Sequence, residues 1–137
     1  MREILFRGKT KQKEWIYGDL ITHEIDFDDA IKQHYTREVW DIIPETVGQY
    51  TGLTDKNGKK IFEGDIVKWY SEKVIVKFGR YIAIEQSYEI GKYFRDVDKF
   101  GWFGERQNGF GKGLDLILLN DSEIIGNIHD NPELLGE

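Results

Sequence analysis

The chain has 137 residues, no cysteine and a formal net charge of −6, with an isoelectric point near 5.1. The missing cysteines exclude a disulfide framework, a thiolate zinc site and a cysteine nucleophile; a chain of this length can bury roughly 68% of its unfolded surface without such staples. An acidic balance disfavours general nucleic-acid binding, which draws on cationic neutralisation of phosphates.

"MREILFRGKTK" has too short an apolar core for a signal peptide. No apolar run nears the roughly 20 residues of a membrane helix, so a cytoplasmic protein without membrane association is expected. The amino end is basic (Arg2, Arg7, Lys9, Lys11, Lys13), whereas the segment from Leu114 carries only acids. Such opposed ends can steer head-to-tail self-association or simply form two solvated surfaces.

In chain order, "EILFRG" and "WIYGDLI" predict an amino-terminal hairpin joined by "KTKQKE". Trp15 and Tyr17 share one face of its second strand, and Ile16 and Leu20 the other, which calls for a cover on one of them. Between Thr22 and Ile43 the pattern is mixed: Asp28 or Asp29 can cap a short helix, while Tyr35–Ile43 is strand-like. Pro44 removes a ladder donor and holds Ile43 extended, so the lobe boundary is set there, giving a hairpin lobe over 1–45 and a second part over 46–137.

The second part begins with the strand "QYTGL" and a tight turn "DKNG", with Asn57 and Gly58 suited to positive φ. "KKIF" returns, "EGD" turns again and "IVKWY" is a strand. "KVIVKFG" is expected to pair with "YIAIE" across Gly79 and Arg80, burying Val74, Val76 and Phe78. "LDLILL" and "EIIGNI" are expected to pair across Asn120 and Asp121. Short strands at this spacing suggest a small barrel or sandwich. An aromatic and glycine-rich insertion at about 86–113 breaks the rhythm. Periodicity does not decide between helix and strand for 88–99, and a flexible loop is expected from Trp102 to Gly113.

Motifs for chemistry fail position by position. Were Gly58 the sixth residue of a calcium loop, Leu53 would be the first and Gly64 the twelfth, and neither ligates. "GFGKG" lacks the following helix that a phosphate loop needs, and reads as a hinge or loop. His23, His34 and His129 lie in no H-x-x-x-H context, and no G-x-S-x-G run surrounds Ser71, Ser87 or Ser122. Carboxylate pairs such as Asp96 and Asp98 are ordinary surface features. No catalytic, metal or cofactor-binding residue is expected, and the chain reads as a non-enzyme. What remains is aromatic recognition. Tyr93, Phe94, Phe100, Trp102, Phe103 and Phe110 interleave with Lys92, Arg95, Lys99, Arg106 and Lys112, a pattern that suits a filled core, a protein hot spot or a single-strand platform.

"PETVGQYTGLTDKNGKKIFEGDIVKW" (44–69) resembles the signature of the YopX family of bacteriophage and prophage proteins. "ILFRGKTKQKEWIYGDL" (4–20) and "IIGNIHDNPELL" (124–135) resemble the family's two end motifs. The resemblance implies a phage or prophage protein in the host cytoplasm. It also implies a mainly β fold, with a small SH3-like barrel in the carboxy-terminal part, the whole countable as one domain over 1–137; in "HDNPELL" itself Asn131 can cap and Pro132 can open a short closing helical turn. It carries no activity, cofactor or catalytic residue onto these positions. The expected function is therefore protein binding or self-assembly, with a host or phage protein or a second copy as partner and a nucleic-acid-binding barrel as the alternative. The candidate contact residues are Tyr93, Phe94, Arg95, Trp102, Phe103 and Arg106.

Overall fold

A computed structural model describes residues 5–18, 42–87, 93–120 and 122–136. The fold is mainly β, built from antiparallel strands in two sheets. The chain divides into two compact units, Met1–Gly52 and Leu53–Glu137. The readings made for Thr22–Asp41, including the Asp28 or Asp29 cap, fall outside the described residues.

In the first unit, β1 (Phe6–Lys9) pairs with β2 (Trp15–Gly18) as the expected hairpin, with Lys9 opposite Trp15 and Arg7 opposite Tyr17. Its other edge meets the start of β3 (Gly48–Thr54) at Phe6–Gln49 and Arg7–Gly48. The Arg7 guanidinium lies 4.5 Å from the Trp15 ring centroid, so the indole face shares its charge. Pro44 opens a single 3₁₀ turn, Pro44–Thr46. Buried Thr46 holds that turn to the hairpin: its hydroxyl donates to the Ile43 carbonyl and accepts the Lys9 N–H.

In the second unit, the end of β3 turns at Asp55–Gly58 into β4 (Lys60–Phe62). The expected "DKNG" turn is present, with positive φ at Gly58 but not at Asn57. Gly58 takes φ +79°, and the Asp55 carboxylate accepts the Asn57 and Lys59 N–H groups. Its second oxygen accepts the N–H of Ile124, 69 residues away. Gly64, at φ +94°, turns the chain into β5 (Asp65–Trp69), and the Asp65 carboxylate accepts the Phe62 N–H at 2.7 Å. Both conspicuous acids of the central motif are turn and tie residues.

Three sequence expectations are corrected. Gly79 and Arg80 form no hairpin: Glu72–Ser87 is one 16-residue strand, β6, paired over thirteen positions with β7 (Tyr93–Glu105). The pairing gains cross-strand ion pairs, Lys77–Glu105 and Glu85–Lys99, that a turn at Gly79 would forfeit. Trp102–Gly113 is no loose loop. Trp102–Glu105 ends β7, Arg106–Phe110 turns, and β8 (Gly111–Gly113) pairs back on β7. "LDLILL" is no strand but a helical turn, α1 (Leu114–Ile117), followed by a 3₁₀ turn to Asn120. Leu114 and Ile117 are buried at helical spacing while Leu116 and Leu119 are exposed; a short, largely apolar segment broken by Asp115 alone fits strand or helix, and burial decided. The Ser122 hydroxyl closes the turn on the Ile117 carbonyl at 2.7 Å.

β9 (Glu123–Asn127) therefore pairs with β5, and the second sheet runs β8-β7-β6-β5-β9. Its ladder ends at β8 and β9, and no closed barrel forms among the described residues. Ile61, Val67, Val74, Val76, Leu114 and Ile117 make its core. The expected closing turn is present as a 3₁₀ turn, Pro132–Leu134, with Pro132 at its start. Asn131 does not cap it; its side-chain oxygen accepts the Asn127 N–H instead.

Candidate functional site

The long β6–β7 pair outgrows the sheet that carries it. β5 flanks β6 only along Glu72–Ile75, and β8 flanks β7 only along Phe103–Glu105. Beyond lies a cross-strand glycine pair, Gly79 opposite Gly101, with φ of +140° and +143°. A Cβ at either would meet nothing within 4 Å, so the backbone conformation, not space, requires glycine there.

Side chains alternate across a strand pair. One face of the ribbon carries Phe78 opposite Trp102, Arg80 opposite Phe100, Ile82 opposite Asp98 and Ile84 opposite Asp96. Phe78 meets Phe100 and Trp102 edge-on, with centroids 5.4 and 4.9 Å apart. Phe78 is 51% exposed, Phe100 74%, Phe94 67% and Ile84 41%. Arg80 lies among them in a two-bond pair with Asp98, at 3.3 and 3.0 Å. A cluster of exposed rings held by mutual contact, with a charged pair inside it, has the composition of a docking surface.

The opposite face is partly covered. Tyr81 stacks on buried Phe103 at 4.4 Å, and a Cβ at Gly111 would lie 2.6 Å from the Tyr81 ring. A cleft of about 270 Å³ remains there, lined by Tyr81, Ala83, Glu85, Lys99, Lys112 and Leu116 among others. Burial pushes the Tyr81 hydroxyl above its ordinary range. The Glu85–Lys99 hydrogen bond holds the carboxylate low and the ammonium high. Both stay charged near neutrality and form a fixed rim. Among the described residues, no group of three or more His, Asp or Glu gathers as a metal would require, and no helix is long and apolar enough to cross a membrane.

The six sequence-selected residues separate. Phe94 and Arg95 are exposed on the ribbon, and Trp102 is half-buried at its base, packed on the core. Tyr93 begins β7. Phe103 is buried, 6% exposed, and belongs to the interior. Arg106 is half-buried off the ribbon, clamped on Glu72 at 2.9 and 2.7 Å and lying over the Trp69 ring. Phe78 and Ile84 were missed, and Phe100 was noted only as part of the aromatic run. Alternation with Val74 and Val76 predicts a buried Phe78, but the flanking strand stops at Ile75. The signal was the pair of glycines at Gly79 and Gly101, where the alternation leaves the core.

Against known families, residues 5–136 match the family described as "YopX protein". The chain belongs to the YopX family. In this YopX-family chain the visible work of the central and closing motifs is structural: Asp55, Gly64 and Asp65 set turns, and Asn131 and Pro132 shape the closing one. No curated protein matches. Among solved structures, the chain is similar to protein EF1440 from Enterococcus faecalis, at 19% identity, over 98% of this chain and 99% of that one, with a TM-score of 0.46.

Proposed function

We propose that this YopX-family chain is a non-enzymatic phage or prophage accessory protein of the host cytoplasm, and that it binds a protein through the aromatic face of the β6–β7 ribbon. The observation that carries the reading is the contact cluster Phe78–Phe100–Trp102, half to three-quarters exposed at its two phenylalanines. Aromatic side chains dominate interface energetics and lose little entropy when immobilised. Charge disfavours nucleic acid as the occupant. Lys77, Arg80, Arg95 and Lys99 are matched on the ribbon by Glu85, Asp96, Asp98 and Glu105, so the described ribbon residues offer no cationic track for a phosphate backbone. The order β9-β5-β6-β7-β8, with a helical turn before β9, supports reading the second unit as an open SH3-like arrangement that presents the ribbon.

The test is affinity capture from host cells with the full chain and with the Phe78→Ser/Phe100→Ser variant. Loss of a captured protein, with unchanged circular dichroism, is expected. Equal capture by both chains removes the ribbon face from the reading.

A further inference from the structure

We infer that the open edge of β6 is a strand-pairing site for the same edge of a second copy, antiparallel about a two-fold axis on Tyr81. The inference concerns the edge of the ribbon and goes beyond the reading of its aromatic face, which the pairing leaves open. Its first support is that the edge is unpaired and unguarded. β5 stops at Ile75, and the next outward acceptor, the Val76 carbonyl, takes the Gly64 N–H. Ladder bonds alternate sides along an antiparallel strand, so the N–H and C=O groups of Phe78, Arg80, Ile82 and Ile84 face outward as well. Among the described residues no strand meets them. Charged residues normally protect such an edge. The free edge of β7 has that protection, with Arg95, Asp96, Asp98 and Lys99 around Val97. On β6 the run from Phe78 to Ile84 carries Arg80 alone, and two bonds hold Arg80 to Asp98 of its own chain.

The second support is that this edge complements itself. A two-fold on Tyr81 sets Lys77 opposite Glu85, Phe78 opposite Ile84, Gly79 opposite Ala83 and Arg80 opposite Ile82, each pair occurring twice, as an isologous contact requires. Axes on Gly79, Ile82 or Ala83 do not oppose Lys77 to Glu85, and an axis on Arg80 sets that cation against itself. Lys77 and Glu85 keep their intrachain partners, Glu105 and Lys99, and each gains an opposite charge on its other side. Across the four strands the charges then alternate: Glu105, Lys77, Glu85, Lys99. No like charges stand directly opposed. The two Arg80 side chains lie on a diagonal, each bound to its own Asp98. Opposed residues share a face, so the aromatic faces of the two copies join across the seam.

Size sets the strength. The run 77–85 spans about 30 Å, and a single added strand buries less than the roughly 800 Å² per partner of a standard interface. The dimer is accordingly weak, with dissociation in the micromolar range or above.

Sedimentation equilibrium of the full chain, from micromolar to millimolar, tests this. The wild type should show a monomer–dimer equilibrium. Ile82→Lys opposes a cation to Arg80 of the other copy and should weaken it about tenfold. Phe100→Asp, on the face and away from the edge, should change it less than about twofold. Lys77→Glu and Glu85→Lys should each weaken it about threefold or more. Mixed together, these two variants restore both opposed pairs and should dimerise more tightly than either alone, which a folding defect cannot imitate. A wild type that stays monomeric throughout overturns the inference. So does a dimer indifferent to Ile82→Lys, a dimer more sensitive to Phe100→Asp than to Ile82→Lys, or a mixture no tighter than its components.

Discussion

Asp55 is 6% exposed and still ionised, and its surroundings explain why. Burial alone pushes its pKa up. The N–H groups of Ile124, Lys59 and Asn57, with the Lys59 charge, outweigh that and hold it below the ordinary 3.8. Its contribution to stability is present above the unfolded-state value and is lost as pH falls through the lower folded-state value. Asp55→Ala should cost about 1.5–3 kcal/mol, since charged acceptors strengthen such bonds and their buried donors would be orphaned. The gap between variant and wild type in urea midpoint should narrow on acidification to about pH 3. Two glycines fail for different reasons. At Gly104 a Cβ would lie 2.6 Å from Ile117 and 2.8 Å from Val74, so Gly104→Ala overpacks the core at about 1–3 kcal/mol. At Gly101 there is room but the wrong φ, so Gly101→Ala should cost a similar amount through strain. Chemical denaturation of both variants checks the pair. The turn roles of Asp55, Gly58 and Asp65 were legible in the sequence because turn chemistry is local. The bond from Asp55 to Ile124 was not, because nothing local announces a partner 69 residues away.

At the scale of elements, the ribbon is the least supported part of its sheet. Among the described residues, neither strand has a flanking neighbour in the ladder beyond Gly79 and Gly101. Its amides should exchange with solvent well before those of Val74 and Val67, which lie in flanked, buried strand. Hydrogen exchange resolved by residue tests this, and equal protection along β6 would contradict it. The ribbon was also the element least legible beforehand. Gly79–Arg80 satisfies the local grammar of a hairpin turn, and only its partner strand, with Lys99 set against Glu85 and Glu105 against Lys77, shows why the chain runs straight through. The candidate face was half legible for the same reason. Composition marked the aromatic run of β7, but Phe78 comes from the other strand and enters the face only through register.

For the whole molecule, sequence pattern reached the mainly β class and the family, because alternation and motif spacing survive without coordinates. It did not reach strand order. Pairing β9 with β5 is a long-range choice, and a short, largely apolar segment such as "LDLILL" does not declare helix or strand. On the aromatic face of the ribbon one cation, Arg80, stands among two carboxylates, Asp96 and Asp98, so the face has no cationic excess. Association through that face should therefore change by less than about threefold between low and moderate salt. A phosphate-binding surface would lose orders of magnitude over the same range. A binding titration at two ionic strengths separates the two.

The bond between Asp55 and Ile124 also bears on the time course of folding. The hairpin turn can form early, from neighbours alone. Its carboxylate gains the last of these donors only when β9 arrives, and β9 is also what covers the outer edge of β5. During synthesis the second unit must wait until β9 has been made, with β5 unpaired on that side and open to a wrong strand. A chain cut short before Glu123 never leaves that stage, so it should accumulate as aggregate, not as a smaller folded protein.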